Sequence, residues 1–389
     1  MNLRFIYVLI ISFSFYTCQK EKSENSLKIL KVNTVDHFTI NDPNLMFKYS
    51  YNVDLIKTDS TKFLIGLINL HDKMEILDLK NQSIIKEIYF SEDPSFIKHD
   101  LMIDDFYYHN SDSIFLYSYN SQKIGVINSN GDLTSVISLA EATEKFHSSD
   151  FMNPSATSRR NIFFDSKNKN ILLRSIPPLN FYESKAFYNK PFIVSYDTEN
   201  NEMNHLFGLF SDPIREGKDF LTFDFQNSFI VNFETNSYIV SHRRDHSLYE
   251  YELYSNNLIK KVNSKSNYLE NFKLVPRKFD SQIISDVLVK EGNYNNLVFN
   301  KYTDEYYRIV VHNQDLINKD TRRVNHPFND RDFSVIVLDR ELVAKGEIVF
   351  KDSKFNYFKL IPDEKGLTVF YRDNDNENII HFETFQIID

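Results

Sequence analysis

The sequence predicts an all-β protein, a six-bladed β-propeller with short connecting helices, on three observations. Strand-rich segments follow one another 50 to 67 residues apart, and they begin at Phe63, Ser113, Asn170, Ser237, Leu297 and Tyr357. Each segment is rich in Ile, Val, Phe and Tyr and is interrupted by Asn, Asp, Gly or Ser, which is typical of short strands and turns. Several strands are apolar at consecutive positions and need cover on both faces, which radially packed small sheets provide.

The first three segments show this plan in order. FLIGLINLHDKMEILDLKNQSIIKEIYF, from Phe63, alternates three apolar strands with polar turns. The segment from Ser113 contains the apolar strand Ile114 to Tyr117 and the pair Asn130-Gly131, which strongly indicates a hairpin. NILLRSIPPL, from Asn170, leads into KPFIVSYDTENNEMNHLFGLF.

The last three segments repeat the plan and use up the chain. They are SYIVSHRRDHSLYEYELYSNNLIKKVN from Ser237, LVFNKYTDEYYRIVVHN from Leu297 with its continuation DFSVIVLDRELVAKGEIVF, and the final segment from Tyr357. Because only 8 residues are Gly, we expect Asn and Asp to take most left-handed turn positions.

A propeller must close its ring, and the sequence offers a strand for this at each end. We expect Ser26 to Ile40 to complete the sheet formed by the final segment, Phe358 to Ile388. Two helices are predicted as connectors between repeats, at Asp280 to Gly292 and Ser138 to His147. A seventh blade, two β-sandwich domains and a parallel β-helix are the alternatives, and the irregular spacing disfavours the β-helix.

The first 17 residues have the pattern of a secretory signal. Arg4 is their only charge, and the 12 residues from Phe5 to Tyr16 are almost all apolar. That run is too short to cross a hydrocarbon core of about 30 Å. We therefore predict a signal peptide at 1–17, a polar tether at 18–26 and the propeller at 27–389; a buried first strand or helix is the alternative.

The junction FYTCQKEKSEN resembles the signal of bacterial lipoproteins, in which the cysteine becomes the first mature residue and is acylated. This resemblance implies that Cys18, the single cysteine of the chain, carries the lipid. Two or three acyl chains would attach the protein stably, whereas one chain holds only marginally. The mature chain would then have no free thiol, so its fold would depend on its core alone.

The charge of the chain limits its partners. The formal net charge is −9, and no block of Lys or Arg stands out. A nucleic-acid partner would need a basic face, so the sequence excludes one. We expect a monomer.

The segments LVFNKYTDEYYRIVVHN, RDFSVIVLDRELVAKGEIVF and EKGLTVFYR resemble the last blades of TolB-like, six-bladed propeller lipoproteins of Bacteroidota. The resemblance implies a propeller in the cell envelope, lipid-anchored at the outer membrane, with no established reaction. CQKEK is similar to a tag that sends some of these lipoproteins to the cell surface. The periplasmic face and the cell surface both stay open as locations.

Two polar clusters could in principle hold a metal. His242 and His246, in HRRDH, have a zinc-like spacing, but they flank a turn between strands, and a solvated hairpin tip is the favoured interpretation. Asp373, Asp375 and Glu377 place oxygens at alternate positions, as calcium prefers, but lack the Gly and the distal Glu of a calcium loop. We therefore assign no metal ligand.

Arginine-rich clusters are the candidate ligand-binding residues, because Arg can bind carboxylate or phosphate with two donors and Tyr can stack on sugar or peptide. If loops of different blades converge, they would line an end-face site for an anionic ligand. Surface ion pairs are the alternative. The candidates are Arg159, Arg160, Tyr306, Tyr307, Arg308, Arg322 and Arg323.

The function predicted from these features is a membrane-tethered binding module, without catalysis, for a peptide, glycan or partner protein at one end of the central channel. No G-x-S-x-G, P-loop or dinucleotide motif is present, and no cofactor is expected. The alternatives are a propeller hydrolase or lyase-type enzyme that uses a divalent metal, and an accessory subunit of a cell-envelope complex.

Overall fold

Six small antiparallel sheets follow one another along the chain and form the blades of a six-bladed β-propeller. The structure is a computed structural model, and it describes residues 26–42, 44–47, 50, 52–58, 61–68, 72–141, 153–154, 162–176, 188–216, 227–272, 281–318, 322, 324–325, 331–351, 354–372 and 378–388. The six-bladed prediction is confirmed.

The first three blades are each formed by strands that follow one another from the inner to the outer edge of the blade. Blade 1 contains β2 (Asn52–Lys57), β3 (Lys62–Ile68), β4 (Lys73–Asp78) and β5 (Ser83–Tyr89). Blade 2 contains β6 (Asp105–Asn110), β7 (Ser113–Ser118), β8 (Lys123–Ile127) and β9 (Leu133–Ser138). Blade 3 contains β11 (Ile162–Asp165), β12 (Asn170–Ile176), β13 (Ile193–Asp197) and β14 (Glu202–Phe207), and β10 (Asn153–Pro154) also pairs with β12.

The other three blades complete the ring. Blade 4 contains β15 (Ser228–Asn232), β16 (Ser237–Ser241), β17 (Ser247–Glu252) and β18 (Leu258–Asn263). Blade 5 contains β19 (Asn293–Asn300), β20 (Glu305–Val311), β21 (Phe333–Leu338) and β22 (Ala344–Phe350). Blade 6 contains β23 (Phe355–Asp363), β24 (Gly366–Tyr371), β25 (Ile379–Ile388) and, at its outer edge, β1 (Lys31–Asn41).

The core lies between the blades. Among the described residues, six clusters of buried apolar side chains form, and each joins two neighbouring blades around the ring. Middle strands such as β4, β20 and β21 are buried at every position, whereas the outer strand β18 is half-exposed to exposed. This is why these strands are apolar at consecutive positions: both of their faces pack against a neighbouring blade.

The N-terminal strand closes the ring, as the sequence predicted. β1 pairs antiparallel with β25 from Lys31 opposite Ile388 to Asn41 opposite Ile379. The last blade is therefore built from both ends of the propeller domain. Before β1, Leu30 and Lys28 hydrogen-bond with the backbone of Glu347 on the outer strand of blade 5, at 2.9 Å each.

The hairpins use a recurring aspartate turn in place of glycine. Asp78, Asp165 and Asp197 each accept backbone N–H groups two and three residues later, and an Asn side chain three residues later. The residues that follow these turns, Gln82 and Lys169 among them, have positive φ. Among the described residues, Asn and Asp take five of the eleven non-glycine positions with positive φ, Asn201 after the Asp197 turn among them, which is fewer than the majority expected.

Helices are short and lie between strands. Those that lie wholly within the described residues are α1 (Pro94–Lys98), α2 (Asp212–Arg215) and α3 (Ser281–Lys290). α3 confirms the helix predicted at Asp280 to Gly292. Of the second predicted helix, residues 139–141 are helical, and 142–147 lie outside the described residues.

Candidate functional site

The long connections of the propeller lie at one end of the ring. In a four-stranded antiparallel blade, the first and third turns lie at one end, and the second turn and the link to the next blade lie at the other. The first and third turns are short in this protein, such as 58–61 and 301–304. At the opposite end, which we call the loop end, residues 264–292 link blades 4 and 5, and residues 312–332 join β20 to β21.

A cavity of about 320 Å³ opens among these connections at the loop end of blades 4 and 5. One wall is residues 268–272, the other is a face of α3 with Glu291 and Gly292, and Asn313 completes it. We call it the loop-end cavity. Its size is at the small end of the roughly 300–1,000 Å³ typical of ligand sites.

Apolar and acidic side chains share the lining of the loop-end cavity. The apolar ones are Leu269, Phe272, Ile283 and Val287, and the carboxylates are Glu270, Asp286 and Glu291. Lys290 also contributes to the lining. Such a surface can take an apolar group and hold a polar or cationic group beside it.

A buried arginine joins the two walls. Arg244, only 5% exposed, donates to Glu291 at 2.7 Å, and its guanidinium lies 5.5 Å from the centre of the Phe272 ring. The ring of His246 also stacks on Phe272, with 4.8 Å between the ring centres. The loop between β16 and β17 thus contacts both walls of the loop-end cavity through Arg244 and His246.

A second buried arginine holds the end of α3. Arg331, 1% exposed, donates to the carbonyls of Leu288, Val289 and His312. Burial lowers the pKa of Arg331 to about 10, so the side chain stays charged at neutral pH. A cation that bonds the last carbonyls of a helix stabilises its C-terminus, and this one fixes α3 against blade 5.

A buried carboxylate holds the opposite wall. Glu347 is fully buried and accepts from the hydroxyls of Ser266 and Ser334 at 2.5 Å and from the backbone N–H of Asn267 at 2.9 Å. These bonds position the chain immediately before residues 268–272.

The same carboxylate lies where the N-terminal segment joins the ring. The Asn267 side chain bonds both the N–H and the carbonyl of Leu27, at 2.8 Å each. The backbone of Glu347 pairs with the residues that follow Leu27. The start of the propeller domain is therefore connected to one wall of the loop-end cavity through Asn267 and Glu347.

Three of the predicted ligand-binding residues lie in the interior of blade 5. Tyr306 and Tyr307, on β20, are 2% and 0% exposed and pack against blades 4 and 6 respectively. Arg308 is fully buried. The surface exposure that a ligand from solution would require is not found at these positions, because both faces of a middle strand are covered by neighbouring blades.

Arg308 instead fixes the loop between β16 and β17. It donates to Ser241 Oγ at 3.0 Å, to the carbonyl of Asp245, to the carbonyl of His246 at 2.8 Å and to Ser264 Oγ at 2.6 Å. Its guanidinium stacks 3.4 Å from the centre of the Tyr294 ring. Arg308 thereby positions the loop that carries Arg244 and His246.

Of the remaining predicted residues, one is exposed on the surface and the others lie outside the described residues. Arg322 is exposed, with a positive φ, in the connection between β20 and β21. Arg159, Arg160, Arg323 and Cys18 lie outside the described residues. Anion binding by the arginines and lipidation of Cys18 stay predictions.

The interpretation of His242 and His246 as a solvated hairpin tip is wrong. His242 is fully buried among the rings of Phe192, Phe210 and Tyr249, because loop 242–246 packs beneath the neighbouring connections. Burial lowers the pKa of His242, which keeps its ring neutral at neutral pH. His246 Nδ1 lies 2.8 Å from the Tyr294 hydroxyl.

The described part of the chain does not present a metal-binding cluster. There, no three His, Cys, Asp or Glu side chains come together in an arrangement that could hold an ion. Asp373, Asp375 and Glu377 lie outside that part.

A second cavity, of about 360 Å³, lies at the hairpin end between blades 1 and 6. Three of the lysines that line it are in ion pairs: Lys57 with Glu364, Lys62 with Asp363 at 2.9 Å, and Lys365 with Asp36 at 2.8 Å. Only two apolar side chains, Phe38 and Leu79, line it beside these ion pairs, compared with four in the loop-end cavity, so the loop-end cavity is the better candidate for a ligand site.

Comparison with known proteins gives a family and a fold. The model of the domain of unknown function DUF4221 matches residues 26–349. No curated protein matches the sequence.

Two solved structures share the fold. A member of the DUF4221 family from Bacteroides vulgatus is similar with a TM-score of 0.72 and 18% identity, over 94% of this chain and 100% of that chain. A "Putative exported protein" from Bacteroides fragilis is similar with a TM-score of 0.50 and 10% identity, over 94% of this chain and 99% of that chain. At these identities the likeness extends to the fold alone.

Proposed function

The chain belongs to the DUF4221 family, and from that premise we propose that it is an exported, lipid-tethered β-propeller that binds a ligand in the loop-end cavity without catalysis. The tether is the acylated Cys18 at the outer membrane, and the ligand is a peptide, a glycan or a segment of a partner protein.

Export is supported by the N-terminal sequence and by a relative of the same fold. Residues 1–17 have the pattern of a signal peptide, and the similar Bacteroides fragilis structure is that of a "Putative exported protein". No helix in the described part of the chain is long and apolar enough to span a membrane.

The tether is tested by replacing the acylated residue. Cys18→Ala should abolish incorporation of labelled palmitate and move the protein from the membrane pellet to the soluble fraction. A mutant that still fractionates with membranes at high salt would show that the lipid is not what holds the protein.

The observation that carries the binding proposal is the way the cavity walls are held. Arg244, Arg331 and Glu347 are almost fully buried and each fixes one part of the wall. Buried charges are costly to desolvate, by several kcal/mol per ion, so they are weak devices for stability alone. Together they give a rigid, preformed cavity, which reduces the entropy that ligand binding would otherwise cost.

A thermal-shift screen tests the binding proposal. The detergent-solubilised wild-type protein is heated with panels of peptides and of oligosaccharides. The variants Ile283→Ser, on the cavity rim, and Ile97→Ser are measured with the same panels. Ile97 is a matched control because it is an exposed Ile on the short helix α1, in the link between blades 1 and 2.

A ligand at 100 times its Kd should stabilise the wild-type protein and Ile97→Ser by about 2.7 kcal/mol, and Ile283→Ser by clearly less. If no compound in either panel distinguishes Ile283→Ser from Ile97→Ser, the loop-end cavity is not the binding site.

A further inference from the structure

We propose that the loop-end cavity recognises a peptide segment in which an apolar side chain stands next to a lysine or arginine. This inference rests on the proposed binding function and adds the chemical class of the ligand. It follows from the apolar rim, the unpaired carboxylates, the packing of the aromatic rings and the volume of the cavity.

An apolar side chain is exposed where a ligand would enter. Ile283, on the first turns of α3, is 44% exposed although it lines the cavity. Leu269 is buried behind it, and Phe272 and Val287 are half-buried. A ligand side chain placed on Ile283 would remove this surface from water and reach a lining that is already apolar.

Two of the three carboxylates beside this apolar patch, Asp286 and Glu270, have no cationic partner among the described residues. Asp286 accepts only from the Gln282 side chain, at 2.7 Å, and Glu270 has no ion pair among the described residues. Glu291, by contrast, is neutralised by Arg244. With Lys290 as the one cation among the described lining residues, this part of the lining keeps a net negative charge, which favours a cationic ligand and repels an anionic one.

The packing of the aromatic rings favours a peptide over a glycan. Sugar binding commonly uses an aromatic ring with an open face. In this cavity Tyr268 stacks on His312 at 4.2 Å, and Phe272 stacks on His246 at 4.8 Å with the Arg244 guanidinium 5.5 Å from its centre. Each ring therefore already stacks on a neighbour within the protein, which leaves less aromatic face for a sugar than a ring without such a partner would offer.

The volume fits a fragment of a chain and not a large ligand. About 320 Å³ is enough for an apolar side chain with part of its neighbour, at the small end of the range of ligand sites. An extended peptide would insert one apolar side chain between residues 268–272 and α3. Its neighbouring Lys or Arg would then reach Asp286 or Glu270 at the rim.

The test is a peptide array probed with the detergent-solubilised full-length protein. Octapeptides carry Leu or Phe next to Lys, Arg, Gln or Glu, and a glycan array is probed in parallel. The variants are Asp286→Asn and Glu270→Gln, with Glu199→Gln as a matched control in an exposed hairpin turn at the other end of blade 3. The melting temperature of every variant confirms that it folds.

We expect the Lys and Arg peptides to bind better than the Glu peptides, with a preference that decreases as salt rises. Each carboxylate variant should weaken that binding about 2- to 5-fold and leave Gln peptides unchanged, whereas Glu199→Gln should change neither.

Two results would overturn the inference; one rejects only the ligand class, and the other also rejects the cavity as a binding site. Binding of acidic peptides or glycans that is lost in Ile283→Ser would retain the cavity as a site but reject the basic, apolar peptide. Failure of every peptide and glycan to bind in a way that Ile283→Ser changes would reject both the ligand class and the proposed function.

Discussion

Replacing Arg308 with Met tests whether a buried arginine organises the loop end. Arg308→Met keeps an unbranched side chain in the fully buried site but removes every hydrogen bond to the loop between β16 and β17 and to Ser264. It also removes the stacking of the guanidinium on Tyr294. The loop would lose its side-chain bonds to β20 and would keep those to β19, such as the contact of His246 with Tyr294.

The expected change in the free energy of unfolding is the difference between the hydrogen bonds that are lost and the desolvation cost that is removed. Hydrogen bonds to a charged group contribute about 1.5–3 kcal/mol each, and Arg308 makes bonds to Ser241, Asp245, His246 and Ser264. Removing the charge relieves several kcal/mol of desolvation. We therefore expect a net loss of about 2–4 kcal/mol in the free energy of unfolding. With an unfolding entropy of about 2.1 cal/mol/K per residue, the melting temperature should fall by roughly 3–5 °C.

The assay is urea-induced unfolding followed by circular dichroism at pH 7.5. Arg340→Met is the matched control, because Arg340 is 47% exposed and its ion pairs with Asp304 and Glu234 are on the surface. This control should change stability by less than about 0.5 kcal/mol. An Arg308→Met protein as stable as the wild type, or more stable, would refute the reasoning.

Three further predictions concern the cavity, the pH dependence and the closure of the ring. Gly292→Ala should destabilise the protein by about 1–3 kcal/mol in urea unfolding, because the added Cβ would lie 2.3 Å from Leu269 Cδ2. Burial lowers the pKa of His312 to about 4, below the value of about 6.5 in the unfolded chain. As the pH drops from about 6.5 to about 4, the unfolded chain therefore takes up a proton at this residue before the folded chain does. The free energy of unfolding should fall by up to about 3 kcal/mol over this range. Urea unfolding at each pH should show this slope flattened in His312→Gln but not in His37→Gln, where the ring is exposed. Removing residues 385–389 should lower the melting temperature by about 5 °C or more, because it deletes one end of the ladder between β1 and β25.

Strand composition was enough to predict the repeat and the closure, but not every strand. The segments that begin at Phe63, Ser113, Asn170 and Ser237 start at the second strand of their blades, so the sequence pattern does not identify the inner strands β2, β6, β11 and β15. These strands are four to six residues long and follow long connections, so no hairpin spacing marks them. The repeat was nevertheless visible because the second and third strands are buried on both faces.

The candidate site was less predictable, because its residues are brought together only by the ring. The helix that forms one wall was predicted, but nothing in the sequence places residues 268–272 opposite it. Arg308 follows two tyrosines, and such a cluster is equally compatible with a surface site. Its burial depends on carbonyl groups of Asp245 and His246, more than 60 residues away in the chain. Local sequence patterns carry no information about such partners.

Closure of the ring by β1 is the claim on which the position of every blade depends, and a disulfide tests it directly. Asn33 and Gln386 are exposed and directly opposite in the ladder between β1 and β25. Facing residues in such a ladder have Cα atoms about 4.5–5.5 Å apart, within the range that a disulfide requires. In a Cys18→Ala chain that carries Asn33→Cys and Gln386→Cys, mild oxidation of the native protein should form the bond and raise the melting temperature by about 3 °C or more over the reduced form. Failure of the bond to form in the native protein, or identical melting of the oxidised and reduced forms, would contradict the account.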